Sequence, residues 1–277
     1  MLDGGLVWAV LRTAVPYTAA ALGASISERA GLVNIAMEGF LLVAAIGTAL
    51  GAAQGAGAAV ACGLLAALLL ALIYGALTVY LSADPVLVGV AVNLLADGLA
   101  RFLLKLVYDS TGSSPRLPKL EVASLLPVCG LLLLLVLLLE GGLRRTVWGL
   151  RLRALGENPA AVVLAGGQVR RAQLQAVVLT GLLTAIGGVF LVLDQRQLIA
   201  SMTGGRGYIG IAAMILGRAA PAYAALAALC FAAVEVLAIR LQLQALPLAN
   251  WVVQLLPYLF AIALLAVRGG RNAMLAR

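Results

Sequence analysis

Apolar runs of membrane-spanning length, separated by short polar or glycine-rich breaks, make up almost the whole chain. The first covers about residues 6–24 and contains Pro16, which a membrane helix tolerates where neighbours re-satisfy the freed carbonyl. A polar, glycine-punctuated segment at 25–39 leads into a second run ending near Leu50, and a third covers about 58–81. Ser82-Ala-Asp-Pro85 predicts a turn in which Asp or Ser caps the next helix. The fourth run, about 86–107, carries Asn93 and Asp97 one helical turn apart, and the fifth, about 122–139, is leucine-rich. Later runs lie at about 172–193, up to about Ile239, and at 251–267, while 208–216 is apolar but too short to cross alone. A span needs about 20 mainly apolar residues, so roughly eight or nine crossings are expected. The fold class predicted is an all-α polytopic membrane protein, with residues 1–277 forming one membrane domain.

Two segments share the pattern G-Φ-Φ-x-I-A, GLVNIA at 31–36 and GYIGIA at 207–212. Each opens an apolar run after a polar lead-in, the first from inside the cell and the second from outside. That is the arrangement of an inverted-topology repeat with broken or re-entrant helices. In a chain this rich in glycine and alanine, a chance match is the competing reading.

Composition sharpens this picture mainly by exclusion. A chain that is 64% hydrophobic and 11% charged, with mean hydropathy +1.09, lacks the polar surface of a soluble domain. The net charge of +8 does not indicate nucleic acid, because the arginines sit at the ends of apolar runs. Cys62, Cys129 and Cys230 are isolated, there is no histidine, and no HExxH, GxSxG or GxxxxGK[ST] motif occurs. No catalytic residue, metal or cofactor is therefore expected in this chain, and an ATP-driven motor would have to be another polypeptide. Residues 1–5 lack a basic n-region, so no removable signal peptide is expected.

The longest polar interruption is 141–171, with six arginines against one acid, Glu157. Counting bases on alternate sides of nine crossings gives eleven on the face that holds this loop and seven on the other. The positive-inside rule then places the loop and the C-terminus in the cytoplasm and the N-terminus outside. Within the loop, Gly156-Glu157-Asn158-Pro159 predicts a turn, with Pro159 as the first residue of a short helix over 160–165 closed by Gly166-Gly167. Such an apolar helix either docks into a partner's groove or lies on the bilayer, aided by the arginines.

Polar residues inside the membrane are costly, and each is a functional candidate. Glu38 opens the second span, Asn93 and Asp97 sit in the fourth, and Glu235 lies late in the run that ends near Ile239. For each the competing role is interhelical hydrogen bonding. If Glu38, Asp97 or Glu235 bound a proton or cation, the chain would be a self-sufficient, ion-coupled secondary transporter of a small polar solute. A membrane scaffold with no transport of its own is a third reading.

Four stretches carry a resemblance: SERAGLVNIAMEG at 27–39, VGVAVNLLADGL at 88–99, LRALGENPAAVVLAGGQV at 152–169 and SMTGGRGYIGIAAMILGR at 201–218. Together they resemble the permease subunits of bacterial ABC importers, specifically the nucleoside/simple-sugar branch of the ribose and branched-chain amino-acid permease superfamily. The resemblance implies a permease in the cytoplasmic (inner) membrane that pairs with a second, homologous permease. It also implies ABC ATPase subunits that bind ATP and magnesium, and an extracytoplasmic substrate-binding protein, often a lipoprotein. Loop 141–171 would then contain a coupling helix, with Arg153, Glu157, Asn158, Pro159 and Val162 at the ATPase. Asn34, Glu38 and Asn93 match polar motif positions near the pathway, and Tyr208 joins them as a hydrogen-bonding group at a helix break. Asp97 stands where the pattern would have a neutral residue.

Overall fold

The computed structural model describes residues 4–110, 112–118 and 125–243. The run expected at 251–267, the arginine-bearing tail and Lys119 lie outside the described residues. Ten α-helices are described: α1 (Gly4–Arg29), α2 (Met37–Gly51), α3 (Ala56–Gly75), α4 (Pro85–Tyr108), α5 (Leu125–Arg145), α6 (Val147–Glu157), α7 (Pro159–Leu164), α8 (Val169–Gln195), α9 (Arg206–Leu216) and α10 (Pro221–Leu243). Seven of them (α1 to α5, α8 and α10) are long and apolar enough to cross a membrane. The chain is a multi-pass, all-α membrane protein.

Local sequence sets the helix ends. Asp84 Oδ1 accepts from the Val86 and Leu87 N–H groups at 2.8 and 3.0 Å, with Pro85 as the first residue of α4. Thr146 caps α6 through Gly149 N–H at 3.1 Å, and Asn158 caps α7 through Ala161 N–H at 3.2 Å. Pro16 does not break α1, which runs on through Arg29 and leaves only a short non-helical link before α2. Likewise α5 continues to Arg145, so the stretch 141–171 consists of the end of α5, then α6, α7 and the start of α8.

The centre is built from α1, α2 and α8, with α3 and α4 against α2, and α9 and α10 against α1. Contacts fix their directions. Thr184 meets Met37, and Gly188 meets Leu41, so α8 and α2 run the same way. Gly187 meets Pro16, and Gly23 meets Thr180, so α1 runs against them. The approach is close enough to demand small residues: a Cβ on Gly188 would stand 2.1 Å from the Leu41 carbonyl oxygen. Without a hydrophobic drive between helices in lipid, such close packing is the main source of association. At the bundle's ends, Arg12 Nε pairs with Asp194 at 3.1 Å, and Arg29 donates to the carbonyls of Arg218 and Ala219 at 3.1 and 3.0 Å.

Candidate functional site

The short helix α9 does not cross the membrane alone. Its 11 residues span about 16 Å, roughly half of a 30 Å hydrocarbon layer. Its far end is tied to Arg29 at the end of α1, while Gly210 packs on Ala20 and Ala21 in the middle of α1. The start of α9 therefore lies near mid-depth. There it meets the start of α2: a Cβ on Gly207 would stand 2.4 Å from the Glu38 nitrogen. From this junction α9 runs with α1 toward the arginine-rich end, and α2 runs with α8 toward the other.

Two helix N-termini pointing at one place concentrate unpaired N–H groups and positive partial charge. Glu38 answers both. It lies in the first turn of α2, and its carboxylate reaches across to α9. Oε1 accepts from the Gly205 N–H at 2.8 Å, and Oε2 accepts from the Gly207 N–H at 2.7 Å.

Asn93 closes the junction from α4. Its Oδ1 accepts from the Gly39 N–H at 2.8 Å, and its Nδ2 donates to the Ile35 carbonyl at 2.9 Å and to the Tyr208 hydroxyl at 3.0 Å. Tyr208 is 49% exposed, and its oxygen accepts the Asn93 bond, which leaves the hydroxyl hydrogen free for an outside acceptor. Asn34 supports the junction from behind. Its Oδ1 accepts from the Ala36 N–H at 2.9 Å, and its Nδ2 donates to Ser27 Oγ at 3.4 Å. Ser27 pairs with Thr180 at 2.9 Å, and Thr180 donates to the Gly23 carbonyl at 2.8 Å. This buried Ser27–Thr180 link is invisible in the sequence, where Ser27 belongs to a polar segment and Thr180 looks like an ordinary small polar residue of a span.

The structure brings Asn34, Glu38, Asn93 and Tyr208 together around one junction. The two G-Φ-Φ-x-I-A segments flank it but differ in structure, since 31–36 is irregular and 207–212 is helical. Asp97 and Glu235 lie elsewhere. Asp97 pairs with Arg101 one turn on at 3.1 Å, and Glu235 accepts from the Tyr17 hydroxyl.

The residues expected at an ATPase do not all face outward. Val162 is 9% exposed and packs on Gly167, whereas Val163 and Leu164 of α7 are 60% and 90% exposed. Glu157, Asn158 and Pro159 are exposed, but Arg153 is half-buried between α6 and the ends of α1 and α9. The turn before α7 rests on the α1–α2 link: a Cβ on Gly156 would stand 2.6 Å from the Arg29 carbonyl oxygen.

Comparison with known proteins identifies the family. The family described as the permease component of branched-chain amino acid transport systems matches residues 6–265. A nucleoside ABC transporter permease of Lactococcus lactis is 28% identical over 92% of this chain and 89% of its own. A guanosine ABC transporter permease of Bacillus subtilis is 30% identical over 84% of this chain and 82% of its own. A putative glucose ABC transporter permease of Haloferax volcanii is 30% identical over 86% of this chain and 78% of its own. No solved structure matches. The reading as an ion-coupled secondary transporter is not favoured, and all three acids it would use already have partners. Family membership implies ATPase and substrate-binding partners. The chain belongs to the permease components of branched-chain amino acid transport systems, and it is a membrane-embedded transport subunit of an ABC importer rather than an enzyme.

Proposed function

We propose that this permease moves nucleosides, with nucleobases and simple sugars as the wider class it is suited to. The observation that carries the reading is its similarity, along 92% and 84% of its length, to two permeases named for nucleosides and guanosine. The chemistry of the junction is compatible. Glu38 is engaged by two backbone N–H groups, so the polar groups left to meet a solute are neutral, chiefly the Tyr208 hydroxyl and the remaining lone pair of Asn93 Oδ1. Such groups suit sugar hydroxyls and base edges better than the charged ends of an amino acid.

In this account the chain sits in the cytoplasmic membrane with its N-terminus outside and its C-terminus inside. It pairs with a second, homologous permease and receives solute from an extracytoplasmic binding protein. ATP and magnesium are held by the ATPase subunits, which engage the 141–171 region through Glu157, Asn158, Pro159 and the exposed Val163 and Leu164 of α7. Movement there reaches the α1–α2 link through the contact of Gly156 with Arg29, and from the link it reaches Asn34 and Glu38 at the junction. Rigid-body rocking about such a midplane site alternates access. Uptake of labelled nucleosides, nucleobases, pentoses and branched-chain amino acids by cells carrying the full set of subunits tests the substrate class. Nucleoside uptake that unlabelled nucleosides alone compete away is expected. Uptake only of amino acids or sugars would overturn the reading.

A further inference from the structure

At the arginine-rich end of the bundle, a crevice of about 360 Å³ opens between the ends of α1, α5, α6 and α10, lined by Arg29, Glu140, Leu143, Arg144, Arg153 and the first residues of α10. Its one acid is already used. Glu140 Oε1 pairs with Arg144 Nε at 2.5 Å, and Oε2 accepts from the Ala222 N–H at 3.3 Å. Arg29 spends its Nε and one Nη on the Ala219 and Arg218 carbonyls and has no carboxylate partner among the described residues. Arg153 is more unusual: its Nε is buried with no hydrogen-bond partner. Burying a guanidinium N–H without an acceptor is unfavourable, and the same guanidinium-bearing side chain lines the crevice.

We propose that this crevice binds the phosphate of an anionic phospholipid, with the Arg153 and Arg29 guanidiniums as the phosphate ligands. A phosphate fits the need, because guanidinium forks match its oxygens and charge-assisted bonds are the strong ones. The neighbouring crevice, which shares Arg29 and Arg153, also carries Glu28 and Glu157, and so the anion is held on the α5–α10 side. That side presents apolar surface. Leu138 of α5 and Tyr223 and Leu226 of α10 are each more than half exposed within two turns of the crevice, surface against which an acyl chain can lie. A basic crevice between membrane helices at the bilayer's edge is the setting in which lipid headgroups are held. This site is separate from the junction and does not depend on which solute is carried.

The test is native mass spectrometry of the full-length chain with its transport partners, exchanged into neutral detergent with equal phosphatidylglycerol and phosphatidylcholine. One phosphatidylglycerol is expected to stay bound in preference to phosphatidylcholine, and Arg153→Gln should lower its retention about tenfold. Arg171→Gln, on the far side of α7, serves as a charge-matched control and should change retention little. Equal retention of the two lipids, or equal loss in both variants, would overturn the proposal. Displacement of the lipid by millimolar inorganic phosphate would reassign the crevice to a free anion and overturn the lipid assignment. If Arg153→Gln lowers expression, Arg153→Lys keeps the charge but not the fork, and retention unchanged from wild type would equally contradict it.

Discussion

Glu38 and Gly207 hold two half-buried helix starts against each other: the Glu38 carboxylate accepts the Gly207 N–H at 2.7 Å, and Gly207 has no Cβ to collide with the Glu38 backbone. The carboxylate stands where two positive helix ends converge, and it leaves α9 anchored halfway across the membrane. Every other candidate residue of the pathway is arranged around this contact.

Removing the carboxylate should loosen the junction. Charge-assisted hydrogen bonds are each worth about 1.5–3 kcal/mol, and two are lost in Glu38→Ala. We expect Glu38→Ala to lower the stability of the purified permease by about 3 kcal/mol and Glu38→Gln by about half as much, read by thermal unfolding in detergent. Equal stability of Glu38→Ala and wild type would show that the carboxylate does not clasp α9.

The close approach itself is testable without touching charge. Gly207→Ala places a Cβ 2.4 Å from the Glu38 nitrogen and 2.7 Å from its Cα, where only backbone could yield. Overpacking against backbone costs about 1–3 kcal/mol or more, so folded protein in the membrane should fall sharply. Gly98→Ala in α4 meets nothing within 4 Å and is expected to be neutral or to stabilise by up to about 1 kcal/mol. Similar behaviour of the two variants would contradict the packing described.

Much of this was legible in the sequence, and the exceptions have physical causes. The spans were readable because lipid demands long apolar runs, and the helix starts at Pro85 and Pro159 were readable because Pro favours the first helical position. Glu38 and Asn93 stood out as polar groups in apolar surroundings, and Asn34 through the resemblance of its segment to a permease motif, but their partners did not. Glu38 sits at the start of its own helix, which suggests it caps α2, and only three dimensions show it capping α9. The run of Ala160, Ala161, Val162 and Val163 carries no periodicity in six residues, so which valine faces out could not be read. The arginines likewise announced a membrane side while hiding that Arg153 turns inward.

That inward and outward division gives a prediction for coupling. Leu164 is exposed, so Leu164→Asp should leave the permease in the membrane yet reduce co-purification of the ATPase severalfold. Val162→Asp buries a charge against Leu152 and Leu155 and should lower permease abundance itself, since unpaired buried charges cost several kcal/mol. A pull-down and a membrane blot on the same samples separate the two effects. Undiminished ATPase recovery with Leu164→Asp would remove α7 as the docking helix.

Asn93 bridges three partners, and its loss should be felt in both assembly and transport. Asn93→Ala removes one acceptor and two donor bonds, and interhelical bonds in membranes average about 0.6 kcal/mol each, so a loss of roughly 1–2 kcal/mol is expected. Asn93→Asp should be worse, because a carboxylate would face the Ile35 carbonyl. Thermal unfolding that ranked Asn93→Asp as the milder change would contradict the bonding pattern.

The most direct test of a substrate path at the junction is the uptake kinetics of Tyr208→Phe in the complete transporter. The phenyl ring remains, Asn93 keeps its bonds to Gly39 and Ile35, and only the exposed hydroxyl disappears. A neutral hydrogen bond is worth about 0.5–1.5 kcal/mol, so KM for the nucleoside should rise roughly two- to tenfold with abundance and ATPase recovery unchanged. A KM indistinguishable from wild type, at equal abundance, would mean that the solute does not meet this protein at Tyr208.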